Sequence, residues 1–166
     1  MERRPATPEE ARALAHPLRL RILRLCLNDA LSNKQLASRL GKDPATVLHH
    51  VRTLERAGFL AAEADRRGRR GARERPYRAT GKSWTLDVGT GDSQMLATLD
   101  AFRAELLESP GPVAWTRFAV RLRPDDRDEL LRRIEELGDE FVARDDPAGE
   151  PLAFFIAGHR WPPPEG

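Results

Sequence analysis

Thr46, His49, His50, Arg52, Thr53 and Arg56 lie within eleven consecutive residues, and six arginines crowd positions 66–75. These side chains share one chemistry. An arginine fork matches the paired acceptors of a guanine edge or a phosphate, and threonine and histidine can each donate or accept. That is equipment for holding a polyanion, not for cleaving a bond. No Ser/His/Asp set, paired carboxylates or phosphate-cradling glycine loop accompanies it, and Gly89-Thr90-Gly91 is too short to count. The expectation is a binding protein rather than an enzyme, with no cofactor and no metal.

The flanking residues predict elements that would present these groups. Ser32 with Gln35 makes a capping box, and Leu36, Ala37 and Leu40 face inward from a short helix. Leu40-Gly41-Lys42-Asp43-Pro44 is a turn in which Asp43 caps the next helix and Pro44 takes its first position. The 44–57 helix has Val47, Val51 and Leu54 as its buried stripe, with Gly58 at the left-handed position that ends it. On a wheel of about 100° per residue the opposite face carries Ala45, Thr46, His49, Arg52, Thr53 and Arg56. His50 sits at the edge of the stripe, able to pack as well as to read. Phe59–Ala64 and Tyr77–Thr80 read as two strands around a loop bearing Arg66, Arg67, Arg69, Arg70 and Arg73. Helix, turn, helix and a basic wing is an arrangement that fits a helix into the major groove of double-stranded DNA.

Charge is distributed to match. Residues 1–83 hold 19 Lys and Arg against 9 Asp and Glu, a net +10, whereas residues 84–166 hold 9 against 17, a net −8. A basic half suits a polyanion that the acidic half would repel. No run of 18 apolar residues and no secretory pattern is present, so neither a membrane span nor export is expected. The single cysteine, Cys26, excludes an internal disulfide and lies on the apolar face of a helix starting at Pro17, where it reads as a core residue.

The chain divides by pattern into a winged helix-turn-helix at 1–83, a connecting helix within 84–112 and a strand–helix–strand unit at 113–166, an α+β organisation. Upstream, Thr7-Pro8-Glu9-Glu10 opens a helix that His16-Pro17 interrupts. Met95, Leu99, Phe102 and Leu106 repeat at four, three and four residues, a narrow seam that suits packing within the chain or a subunit interface. Phe118, Val120 and Leu122 alternate as a strand, Pro124–Arg144 is an amphipathic helix, and Leu152–Ala157 is a second strand. The proline-rich tail is expected to be disordered.

Leu14-Ala15-His16-Pro17-Leu18-Arg19-Leu20-Arg21-Ile22-Leu23, the paired histidines and the Ala57-Gly58 helix end resemble the ArsR-type winged helix-turn-helix regulators of bacteria, over roughly residues 7–82. The resemblance implies a homodimer in the cytoplasm, at the nucleoid, that binds a palindromic operator and controls transcription, in most such cases as a repressor. Metal-sensing members carry Cys-x-Cys where Ser32-Asn33-Lys34 stands here, so metal sensing through that motif is not expected. Two other readings compete: a winged-helix protein–protein module, and a regulator that senses a small molecule in its C-terminal half. The polar, basic face of the 44–57 helix argues against the first. No effector can be named.

Overall fold

A computed structural model describes residues 3–67, 73–89, 91–109, 111, 114, 116–146 and 148–160. The chain forms two units, Met1–Arg117 and Phe118–Gly166. The first begins with β1 (Arg4–Pro5), α1 (Pro8–Leu14) and α2 (Pro17–Leu25). Thr7 and Glu10 close a capping box on α1, and His16 caps α2 by accepting the Leu18 N–H at Nδ1, 3.1 Å away. The His16-Pro17 break is thus built from proline's constraint on the preceding residue plus a side-chain cap.

The core is assembled from single faces of several helices. Ile22, Cys26, Leu36, Val47, Val51, Leu54 and Phe59 are fully buried and belong to one cluster. Burial pushes the Cys26 thiol up to about 12, so it stays protonated and inert, a small core residue. The helix-turn-helix consists of α3 (Asn33–Leu40) and α4 (Pro44–Arg56). The Ser32–Gln35 capping box starts α3, and Asp43 Oδ1 accepts from the Ala45 and Thr46 N–H groups to start α4. Gly41, at φ 59°, makes the left-handed turn out of α3 that a side chain would strain.

The wing sheet has the order β2 (Leu31–Ser32), β6 (Pro76–Ala79), β3 (Leu60–Ala62), all antiparallel. Leu60 pairs with Ala79 and Ala62 with Tyr77, as the two predicted strands require, while Leu31–Ser32 adds a third strand that two residues of pattern could not announce. Beyond this sheet, β4 (Arg66–Arg67) pairs with β5 (Arg73–Glu74). After a 3-10 turn at Lys82–Thr85 the chain forms β7 (Leu86–Asp87), parallel to β1. Glu10 locks these ends together: it takes a bidentate ion pair from Arg4 (2.7 and 2.9 Å) and one from Lys82 Nζ (2.8 Å). These cations hold the Glu10 carboxyl far below the usual carboxylate range, Arg4 contributing most.

The last element of this unit, α5 (Asp92–Glu108), packs on α2 and α1. Its buried face is Gln94, Ala97 and Ala101, with the Gln94 amide donating to the Ala11 carbonyl at 3.2 Å. Small residues let the helix approach closely, and the longer seam lies outside this buried face. Met95 and Leu99 are 47% and 39% exposed, and Phe102 and Leu106 are half-buried.

The second unit corrects the sequence reading. Its helix, α6 (Pro124–Val142), is present, with Asp125 and Asp126 in its first turn and Arg132–Glu136, Arg133–Glu129 and Arg144–Glu140 pairs along it. The predicted strands 118–122 and 152–157 are irregular chain with no ladder partner among the described residues. Alternation specifies a strand's two faces but supplies no neighbour for its hydrogen bonds, and Phe118, Val120, Leu152, Phe154 and Ile156 remain exposed. The proline-rich tail lies outside the described residues.

Candidate nucleic-acid interface

Helix α4 separates its two faces sharply. Val47, His50, Val51 and Leu54 are buried, whereas Ala45, Thr46, His49, Arg52 and Arg56 are exposed and Thr53 is half-buried. One predicted reading residue is corrected here: His50 is only 8% exposed and turns inward. Its ring lies 4.4 Å from that of His16, tilted by 49°, with the His49 ring 5.5 Å away. Burial, helped by the charges of His16, Arg19 and His49, brings the His50 imidazole down to about 4, so it is neutral at pH 7. Burial also lowers His16, with Arg19 adding to the effect. His50 therefore supports the helix from below instead of reaching outward.

The elements around α4 fix its presentation. The Asn33 amide donates to the Pro44 carbonyl at 2.9 Å, tying the start of α3 to the start of α4. Gln35 Oε1 closes the α3 capping box and accepts from Arg66 at 2.6 Å, which ties β4 of the wing to the helix-turn-helix. Arg75 reaches Glu55 of α4 at 3.3 Å, and Arg73 reaches Asp65 at 2.5 Å. Arg66, Arg67 and Arg73 are exposed at the wing. Arg69 and Arg70, predicted to join them, lie outside the described residues.

The pattern of ion pairing marks the surface. Arg4, Arg21, Arg39, Arg73, Arg75, Arg78 and Lys82 each have a carboxylate partner elsewhere in this unit, so Arg73 is the wing arginine proposed for DNA that is already ion-paired. Arg52 and Arg56 on α4, Lys34 and Lys42 at the helix-turn-helix, and Arg66 and Arg67 on the wing have none among the described residues. A positive surface left unneutralised by its own protein is suited to an external polyanion. Sequence reasoning missed Gln35 as the wing anchor. It also missed Arg12 and Arg19, which come from α1 and α2 to stand beside His49, Thr53 and Arg56. Their only sequence signal was the excess of arginine over acidic residues in positions 1–83.

Among the described residues no group of three His, Cys, Asp or Glu side chains is placed to hold a metal ion, and no helix is long and apolar enough to cross a membrane.

A family model described as a helix-turn-helix domain matches residues 14–62. This chain therefore carries a helix-turn-helix domain there, and with the β3–β6 wing the fold is an α+β winged helix-turn-helix. Among solved structures, the chain is similar to reduced HlyU from Vibrio cholerae N16961, with 23% identity, 53% of this chain and 77% of that one covered, and a TM-score of 0.36. It is also similar to the cadmium metal-sensor CMTR from Mycobacterium tuberculosis, with 26% identity, 70% and 100% coverage and a TM-score of 0.36. MepR of Staphylococcus aureus in complex with DNA matches at 17% identity, with 79% and 80% coverage and a TM-score of 0.31. No curated protein matches the chain.

Proposed function

We propose that this chain is a sequence-specific, DNA-binding transcription regulator of the ArsR type, acting as a homodimeric repressor on a palindromic operator. The observation that carries the reading is the unpaired basic and polar face of α4: Thr46, His49, Arg52 and Arg56 are open to solvent, with Thr53 half-buried among them. In this reading those five side chains meet base edges and the nearest phosphates. Arg66, Arg67, Arg69, Arg70 and Arg73 of the wing add affinity that is indifferent to sequence. The exposed seam of Met95 and Leu99, continued by Phe102 and Leu106, is the proposed dimer surface. In this reading the seam is separate from the α4 face, so a dimer built on it leaves both reading helices free. Two copies related by a two-fold would present two reading helices to half-sites about one helical turn apart.

No metal is sensed through the family's Cys-x-Cys position, since Ser32 is a helix cap and Lys34 an exposed cation there. The protein works in the cytoplasm, at the nucleoid.

Selection from a random duplex pool tests the proposal. A palindromic consensus is expected, and Arg52→Ala should flatten preference at one position per half-site at a cost of about 1–3 kcal/mol. Recovery of no consensus, with Arg52→Ala indistinguishable from the parent, would overturn it.

A further inference from the structure

Between α1, the start of α2 and the C-terminal half of α4 lies an open cleft of 390 Å³, lined by Glu9, Arg12, Ala13, Arg19, His49, Thr53, Arg56 and Ala57. Three arginines and one carboxylate residue are among the residues that line it. Each arginine is held by the main chain and, among the described residues, not by an acid. Arg19 Nε and Nη2 donate to the Ala13 and Arg12 carbonyls at 2.5 and 2.6 Å. Arg12 Nε donates to the Pro8 carbonyl at 3.1 Å and Arg56 Nε to that of Arg52 at 3.4 Å. These bonds orient the forks and leave N–H donors over. Arg19 is half-buried, a partly desolvated cation whose held partners are neutral carbonyls. Thr53 adds no donor, because its hydroxyl already donates to the His49 carbonyl at 3.0 Å.

Three arginines along one cleft, each held by the main chain with N–H groups to spare, suit a tetrahedral oxyanion. Glu9 on the rim is an acceptor for the O–H of hydrogen phosphate or of a hydroxyl beside a phosphate.

We propose that this cleft is a phosphate-binding site, built by Arg12, Arg19 and Arg56, whose occupant is either a free phosphate-bearing small molecule or a backbone phosphate of bound DNA. Because Arg56 and His49 belong also to the α4 face, a free phosphate compound held here competes with DNA. That consequence, and the DNA branch, rest on the DNA-binding reading above; the site itself does not.

The experiment uses the full chain and inorganic phosphate as probe. Thermal unfolding is followed at pH 7.5 while phosphate replaces chloride at constant ionic strength, in the parent and in Arg12→Gln. Arg12 is outside the proposed reading set, and Arg12→Lys serves as the charge-keeping control. If the occupant is a free phosphate, Tm rises with phosphate in the parent, the rise is lost in Arg12→Gln and largely kept in Arg12→Lys. If it is a DNA phosphate, Tm does not respond. Duplex affinity titrated against salt instead loses about 0.9 from its log–log slope in Arg12→Gln. The site is refuted if phosphate acts no differently from chloride and the salt slope is unchanged, or if phosphate raises Tm in the parent and raises it equally in Arg12→Gln. Should the chain bind no duplex at all, the DNA-binding reading falls, and the thermal arm alone decides this one, a flat Tm refuting it.

Discussion

Acidification from pH 7.5 to 5.5 should destabilise the first unit by about 1 kcal/mol through His50 alone, as derived from proton linkage. The folded chain holds this imidazole at about 4 against an ordinary 6.5, chiefly because it is buried against His16 beneath α4. Between those values the unfolded chain takes up a proton that the folded chain refuses. Stability is therefore fully present above pH 6.5 and is lost as pH falls towards 4. At completion the loss is at most about 3 kcal/mol, from about 1.36 kcal/mol per unit. The His16 shift has the same sign and adds to it. Burial raises the Glu105 carboxyl of α5, which acts with the opposite sign as pH falls, so the comparison of the parent with a variant lacking the imidazole isolates His50. Urea unfolding followed by circular dichroism at pH 7.5, 6.5 and 5.5 measures the loss, and His50→Phe keeps a ring while removing the proton site. The variant should show a clearly shallower decline, retaining the His16 share. Equal pH dependence in parent and variant, or a parent that gains stability on acidification, would refute the assignment of His50 as a buried neutral group.

Glu10→Gln should lower Tm and flatten the acid limb below pH 4.5, because a carboxylate depressed by Arg4 and Lys82 stabilises above its unfolded value and loses that contribution as pH falls; thermal scans between pH 3 and 7 read this. Leu99→Glu with Phe102→Glu should give a monomer by sedimentation equilibrium and lower operator affinity far more than non-specific affinity. A double variant that stays dimeric would move the interface to another surface. Replacing Arg69 and Arg70 by alanine should weaken all duplexes nearly alike and reduce the salt slope by about 0.9 for each phosphate no longer neutralised; a change of sequence preference instead would make the wing a reader, as an arginine in a narrow minor groove can be.

What could be read from the sequence was local and periodic. Thr7–Glu10, Ser32–Gln35 and Asp43 fix helix starts through side chains that bond neighbouring N–H groups, and all three form as their spacing requires. The Val47, Val51, Leu54 stripe places the opposite face of α4 outward, because a helix period converts spacing directly into direction. Contacts between distant residues were not legible. His16 meets His50 only because the α1–α2 break turns the chain beneath α4, and nothing in either residue's neighbours announces the other. Arg12 and Arg19 reach the α4 face by the same turn. Leu31–Ser32 is too short to carry an alternation, yet it pairs with Tyr77 and Pro76. The reverse failure occurred at Phe118–Leu122 and Leu152–Ala157, where alternation is clear and no ladder forms among the described residues. A strand is a relation between segments, whereas a capped amphipathic helix is largely a property of one.

The central claim is that the open face of α4 and the wing bind DNA, chiefly through Arg52, Arg56, Arg66 and Arg67, which have no carboxylate partner among the described residues. Its most direct test is the affinity of the full chain for a fluorescent duplex at several salt concentrations, in the parent and with Arg52 and Arg56 replaced by alanine. The account predicts a steep log–log decline of affinity with salt, with a slope of about −0.9 per phosphate neutralised, and weaker binding in the variant. Affinity independent of salt, absence of binding at low salt, or a variant that binds as the parent does would contradict it.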